Sequence, residues 1–358
     1  MQKLLVLVES LLNFAVKIVL FVLVMVTAAL PGNPIEPIVK NVKADNPYIQ
    51  EYKGTQISAH RSGAGAAPEN TLMAFQEMSN KKDYYGVDTF EFDVQITADG
   101  ELILLHNLTY DDTSNAVEEF GHENVYASSL TYEEARRLNL GENFCLNGKY
   151  PYRGLRGNAI PQNLRVVKCE DVIDYIESHS NGKKYNYIIE IKSLSLGGMR
   201  AADKLYNIVD SRNMKDRVIW ATFQPDVSLY MEHKYPDMPR SAGIAEVIQF
   251  YQYARMGWDL NELNVSYVAL QIPYGESAFN LINTGTRELT NYAHKYNIAV
   301  QYWTINSEEE VASLLDNGAD CIMSDYPQMV NKVKKTHKYK AEKPNIFDVK
   351  GVKPVLAK

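Results

Sequence analysis

The sequence comprises 358 residues, 46% of them hydrophobic and 23% charged, with a formal net charge of −7. That make-up excludes a disordered or fibrous chain and allows one large α/β domain with a full core, while the acidic balance argues against a whole-protein nucleic-acid binder. Cys145, Cys169 and Cys321 stand far apart without a CxxC pair, so neither a zinc cluster nor a disulfide framework is indicated.

The first element expected is an N-terminal hydrophobic helix. Ile18 to Leu30 is a run of 13 residues without a charge, preceded by Lys17 and ended by Pro31-Gly32. This length suits a signal peptide over residues 1–31, with Val26-Thr27-Ala28 offering small residues for cleavage. Extended back to Ser10, the same segment suits an uncleaved anchor in which Lys17 snorkels. Both readings make the chain extracytoplasmic, membrane-anchored or secreted. Residues 32–51, rich in proline and polar side chains, read as an extended linker, and the folded domain is expected over 52–331.

Within that domain, strands are expected at Gln56–His60, Val87–Thr97, Asn186–Lys192, Arg217–Thr222, Ser241–Ala245, Tyr267–Gln271, Ile298–Thr304 and Cys321–Ser324. Helical patterns lie between most of them, as at Met199–Ser211, Leu281–Tyr296 and Ser307–Asn317. Strands alternating with helices in this number point to a (β/α)8 barrel, and no GxGxxG follows the first strand to favour a doubly wound sheet. His60 and Arg61 fall where the first strand runs out, the edge at which α/β proteins bind ligands. Pro68-Glu69-Asn70-Thr71 then starts a helix.

Two strands carry charge inward. Phe90, Phe92 and Val94 alternate with Glu91 and Asp93, and Ile189 and Ile191 alternate with Glu190 and Lys192, so three carboxylates and a lysine share the barrel interior. Asp99-Gly100 is a hairpin signal. If those two are the central turn residues, Asp93 pairs with His106, which the hairpin folds back beside the carboxylates. An oxygen-rich set of this kind suits Ca2+ or Mg2+. Arg61 and Lys192 suit a phosphate, and two histidines suit proton transfer to and from reacting oxygens.

His60-Arg61 with Pro68-Glu69-Asn70-Thr71, Glu91-x-Asp93, His106, Glu190-x-Lys192, Trp303-Thr304 and Ser324-Asp325-Tyr326-Pro327 together resemble, in order, the glycerophosphodiester phosphodiesterase family. The resemblance implies a TIM barrel with a small insertion after the hairpin, at about 115–162. It implies metal-dependent hydrolysis of glycerophosphodiesters to glycerol 3-phosphate and an alcohol. Glu91, Asp93 and Glu190 would bind the divalent cation, with His60 and His106 as the acid/base pair. Arg61 and Lys192 would contact the phosphate, Trp303 would line the pocket and Glu69 would support the site. The sequence departs from the family at Ser62, Asn107 and Asp112, where a glycine, an aspartate and an arginine are usual.

Other readings remain beside this one. Glu190 with Lys192 can be a buried structural pair, and the remaining histidines read as surface or core residues. A Schiff-base aldolase using Lys192 would not tolerate three acidic neighbours, which keep a lysine protonated. A metal-independent phosphoinositide phospholipase would not need them. A phospholipase D-like or wall-polymer phosphodiesterase on the same site, or a catalytically silent membrane-anchored binding protein, stays open. Residues 332–358 carry nine lysines against Glu342 and Asp348 and read as a solvated tail. Oligomeric state, the alcohol, the choice of cation and the order of the two histidines are not legible.

Overall fold

The structure is a computed structural model that describes residues 46–50, 54–180, 182–275 and 283–339. The expected N-terminal helix, residues 1–31, and the tail beyond residue 339 lie outside the described residues. Seven parallel strands form a curled sheet: Gln56–Ala59 (β1), Thr89–Ile96 (β2), Asn186–Ile191 (β4), Val218–Ala221 (β5), Ala269–Pro273 (β6), Ala299–Trp303 (β7) and Cys321–Ser324 (β8). Their order is β5-β4-β2-β1-β8-β7-β6, and Leu102–Leu104 (β3) pairs antiparallel with β2. Helices between the strands cover the outside, the arrangement of a (β/α)8 barrel.

The open side between β5 and β6 is bridged by residues 239–242. Trp220 N–H donates to the Pro239 carbonyl at 3.1 Å and Ser241 N–H to the Trp220 carbonyl at 3.0 Å. On the other flank Val268 N–H donates to the Arg240 carbonyl at 2.9 Å and Ala242 N–H to the Ala269 carbonyl at 2.8 Å. The strand expected over Ser241–Ala245 is therefore reduced to a two-residue bridge, and the helix Ile244–Met256 begins where it was to continue. Glu246 is the cause. Its carboxylate accepts from Gly243 N–H at 2.7 Å and from both terminal nitrogens of Arg240 at 2.7 Å, which turns the chain at the bridge. Elsewhere the expected strands are observed within one or two residues. The helix expected over Leu281–Tyr296 is observed as Arg287–Lys295, capped by Thr286, with residues 281–282 outside the described set.

Strand β2 shows how the sequence sorts its side chains. All eight residues are buried. Phe90 and Phe92 face outward and meet Phe75 of the helix Leu72–Asn80 at ring distances of 5.2 and 5.4 Å, while Glu91 and Asp93 face inward. The hairpin after β2 differs from the expected register. Val94 pairs with Leu104 and Ile96 with Leu102, so Leu105, not His106, stands opposite Asp93, to whose carbonyl its N–H donates at 3.1 Å. The turn holds three residues rather than two. Thr97 and Glu101 close it, the Thr97 hydroxyl binds Asp99 and Glu101 N–H, and Gly100 takes a φ of 84°. A one-residue shift exchanges the faces of a strand. It sends Leu102 and Leu104 into the outer core, and Ile103 and Leu105 into a separate apolar cluster with Tyr110, Val125, Leu138 and Val166. That cluster is the core of the insertion, which is thereby anchored on β3.

The floor of the barrel is closed from the N-terminal side. Tyr48 is 4% exposed and packs with Ile188, Ile219, Ala269, Ala299 and Met323, while its hydroxyl donates to the Asp216 carbonyl at 3.1 Å. The Asn46 amide donates to the carbonyls of Val268 at 2.7 Å and Asn297 at 2.9 Å. Residues 46–50, placed by composition in the linker 32–51, therefore belong to the barrel. Asn46 looks like a polar spacer residue, but its side chain satisfies main-chain groups at strand starts and accepts Tyr48 N–H at 3.0 Å.

Tyr48→Ala is expected to cost about 3 kcal/mol of stability through the cavity it leaves, read by urea denaturation. A loss below about 0.5 kcal/mol, the range of surface substitutions, would show that the plug contributes nothing to the core.

Candidate active site at the mouth of the barrel

The loop after β1 brings the first cationic groups to the mouth. Arg61 and Ser62 adopt φ values of 46° and 65°, a left-handed conformation that costs non-glycine residues roughly 1–2 kcal/mol each. Gly63 follows with a φ of 91°. The turn is held by Arg61 N–H, which donates to Glu91 Oε2 at 2.6 Å. The guanidinium is fixed as well: Nη1 donates to both oxygens of Glu69 at 3.2 and 3.0 Å, and Nη2 lies 2.9 Å from His106 Nε2. Its Nε is buried without a hydrogen-bond partner, 4.0 Å from Asp93 Oδ2. Glu69 thus holds the Arg61 guanidinium in place. Burial pushes the Glu69 carboxyl up despite the neighbouring guanidinium.

Glu91, Asp93 and Glu190 each present an oxygen within 4.8 Å of the others. Burial, then the Asp93 charge, pushes the Glu91 carboxyl up to about 7. Burial also raises Glu190 against the pull of Lys192. Asp93 is the exception: burial opposes its ionisation, but Lys192, His106 and Arg61 outweigh it and hold the group below its usual range. Lys192 Nζ lies 2.6 Å from Glu190 Oε1 and 3.2 Å from Asp93 Oδ1. The Lys192 ammonium is the donor that faces this buried Glu190 oxygen. Three converging carboxylates, one pushed towards neutrality and only two of them met by Lys192, fit a hard divalent cation better than they fit each other.

The histidines occupy different environments. His60 Nδ1 binds Asp325 Oδ1 at 2.7 Å, and Asn306 Nδ2 steadies the other carboxylate oxygen at 2.7 Å. Burial disfavours the His60 imidazolium, yet the Glu91 charge and the Asp325 hydrogen bond prevail and its pKa is raised. His106 Nε2 faces the Arg61 guanidinium, which can only donate, and Nδ1 lies 2.7 Å from Asn107 Oδ1. Nε2 is therefore the acceptor and Nδ1 carries the hydrogen. Burial, reinforced by Lys192 and Arg61 against the pull of Asp93, drops the His106 pKa to about 4. The shifted hairpin register thus places His106 two residues beyond β3, beside Arg61.

These groups line a cavity of about 300 Å3 together with Phe223, Gln271, Trp303 and Thr304. Trp303 and Phe223 meet edge to face, 5.8 Å between ring centres, and the Lys192 ammonium lies 5.5 Å from the centre of the Phe223 ring. Every residue assigned to the site from sequence lies at this mouth. Three contributors were not assigned. Asn70 binds Asp93 twice, donating from Nδ2 to Oδ2 at 3.0 Å and accepting Asp93 N–H at 3.1 Å; its position read only as a helix start, whereas Thr71 is the cap. Asp325 stood in a recognised block without a role, and Phe223 carries no local signal.

The chain matches the model of the Glycerophosphoryl diester phosphodiesterase family over residues 60–329. It is 26% identical over 285 residues to a glycerophosphodiester phosphodiesterase of Bacillus subtilis (strain 168), covering 77% of this chain and 85% of that one. A glycerophosphodiester phosphodiesterase of Caldanaerobacter subterraneus is also 26% identical, over 78% of this chain and 98% of the relative. Among solved structures, a putative glycerophosphoryl diester phosphodiesterase from Silicibacter pomeroyi DSS-3 superposes with a TM-score of 0.61 at 22% identity, covering 80% of this chain and 95% of that one. An Oleispira antarctica phosphodiesterase in complex with the product sn-glycerol-3-phosphate superposes with a TM-score of 0.58 at 19% identity, covering 78% and 97%.

Because Glu91 titrates near neutrality without a cation, divalent-cation binding is expected to release protons at about pH 6 and few at about pH 8, and to weaken as pH falls. Calorimetry with Ca2+ or Mg2+ in buffers of different ionisation enthalpy measures this. An affinity independent of pH would mean that Glu91 is not a ligand.

Proposed function

Since the chain belongs to the Glycerophosphoryl diester phosphodiesterase family and is thereby a phosphoric diester hydrolase, we propose that it cleaves glycerophosphodiesters to glycerol 3-phosphate and an alcohol by histidine acid/base catalysis. The observation that carries this reading is the convergence of Arg61, Lys192, His60, His106 and three carboxylates on one cavity. The product held by the Oleispira antarctica neighbour supports the substrate class.

A divalent cation, Ca2+ or Mg2+, held by Glu91, Asp93 and Glu190 would supply Lewis-acid stabilisation of the phosphoryl oxygens. The residues of the chain do the rest. Arg61 and Lys192 bind the non-bridging oxygens, where charge grows in the transition state. Neutral His106, with its lone pair on Nε2, removes the proton of the attacking hydroxyl, from water or from the glycerol 2-hydroxyl. The new O–P bond forms as the bond to the departing alcohol breaks. His60, whose protonated form Asp325 and Glu91 favour, gives its Nε2 proton to that alcohol. Trp303 and Phe223 supply the apolar part of the lining against which the substrate packs.

The hydrophobic run Ile18–Leu30 supports export, with residues 1–31 as a signal peptide or an anchor in the membrane. Wall polymers and lipid head groups therefore belong among the test substrates beside soluble diesters.

Purified protein is expected to release glycerol 3-phosphate from glycerophosphocholine or glycerophosphoglycerol, to lose this activity in EDTA and to recover it with Ca2+ or Mg2+. His60→Ala should lower kcat about 10²- to 10⁴-fold. Glu190→Gln should raise the cation concentration needed for half-maximal rate. Undiminished turnover in EDTA would refute the metal-dependent reading, and no turnover on any of these substrates would leave a binding role.

A further inference from the structure

His106 does not meet the rest of the protein through a carboxylate, as His60 does. It meets the side-chain amide of Asn107, the next residue. A chain of hydrogen bonds runs from Glu69 through Arg61, His106 and Asn107 to Asp112. Its direction is set at both ends. Arg61 has only donors, so His106 Nε2 accepts at 2.9 Å and Nδ1–H donates to Asn107 Oδ1 at 2.7 Å. The Asn107 amide must then turn its nitrogen the other way, and Nδ2 donates to Asp112 Oδ2 at 2.8 Å, a group with only acceptors when ionised. Each link is compatible with one orientation of the amide and one tautomer of the ring.

The two residues are themselves held from the barrel and from the insertion. Gln95, buried on β2, donates through Nε2 to the main-chain carbonyls of Leu105, at 3.3 Å, and of Asn107. Asn143 Nδ2 donates to the Asp112 carbonyl at 2.9 Å. The insertion thus reaches the active site through Asp112 and Asn107, not through contact with the cavity, whose lining includes neither residue.

We propose that Asn107, oriented by Asp112, is the positioning residue that keeps His106 in the Nδ1–H tautomer, so that its only basic nitrogen, Nε2, is aimed at the anion bound by Arg61. This deepens the hydrolytic reading above and rests on it for the reaction it serves. When a phosphodiester draws the Arg61 guanidinium to its oxygens, Nε2 loses its resting donor and takes the proton of the attacking hydroxyl, becoming an N–H while Nδ1–H stays on Asn107. An amide suits this task differently from a carboxylate. It accepts the Nδ1 hydrogen as well but adds no full negative charge, so the resting ring remains neutral and ready to accept. In the opposite tautomer, hydrogen on Nε2 would face the Arg61 donors and the base would be lost.

The test uses the full chain with 15N-labelled histidine, and Asn107→Leu, Asn107→Asp and Asp112→Asn beside the wild type, each checked by thermal melting. The 15N spectrum of the resting protein is expected to report Nδ1–H for His106. Asn107→Leu, which keeps the volume and removes the acceptor, should mix the tautomers and lower kcat about 10- to 100-fold with KM within about 2-fold. Asn107→Asp should restore the Nδ1–H tautomer and move the acidic limb of the rate profile to higher pH. Asp112→Asn should give a smaller loss than Asn107→Leu, because Gln95 still anchors the Asn107 main chain. A wild-type ring protonated at Nε2, or an Asn107→Leu protein with unchanged tautomer and kcat, overturns the proposal. A wild type that releases no glycerol 3-phosphate, yet shows the tautomer change in Asn107→Leu, refutes the substrate reading and supports the positioning. Equal hydrolysis by wild type and Asn107→Leu does the reverse.

Discussion

Three carboxylates in one barrel mouth repel one another, and little water is there to screen them. Everything else at the site answers that constraint. Lys192 follows directly on the strand that carries Glu190 and lies between it and Asp93. Arg61 is bent through two left-handed residues so that its main-chain N–H reaches Glu91 while its guanidinium approaches Asp93. Asn70 spends both ends of its amide on Asp93. Even so, Glu91 is driven towards neutrality and burial raises the Glu190 carboxyl as well. A buried charge left short of partners is expensive, and proteins retain such clusters where a ligand completes them.

The same field separates the two histidines. Identical side chains at the mouth of one barrel are pushed in opposite directions by what each touches. His60 leans on Asp325 and feels Glu91, and its charged form is favoured. His106 is buried between a guanidinium and a neutral amide, and its charged form is disfavoured. Hydrolysis of a phosphodiester needs one proton acceptor and one donor, and environments that split two like groups are how a site supplies both near neutral pH. The barrel makes this possible because its strands are rigid and its loops carry the variable partners.

The insertion and the N-terminal segment show the scaffold serving the mouth from outside it. The insertion builds its own core on the far face of β3 and is linked towards the mouth through Asp112 and Asn107. Asn46 and Tyr48 close the opposite end of the barrel. There Ile188, Ile219, Ala269, Ala299 and Met323 fill the interior that the charged residues leave empty above. Charge at one end and dense apolar packing at the other divide the barrel between function and stability.

The sequence by itself determined the alternation of strands and helices, the inward direction of Glu91, Asp93, Glu190 and Lys192, and the family to which their order belongs. Period-two patterning and spacing are local properties, and a strand long enough to alternate has no choice of face. It did not determine the hairpin register, the length of the bridge at 240–242 or the place of residues 46–50. The register turned on whether the loop had two residues or three, decided by the Thr97 hydroxyl and Gly100. The bridge turned on Glu246 reaching back to Gly243 and Arg240. The roles of Asn70 and Asp325 were equally out of reach, because each acts through partners brought near by folding, 265 positions away in the case of Asp325 and His60. Which residues face inward is written in the chain; which of them share a proton or a charge is decided only when the barrel closes.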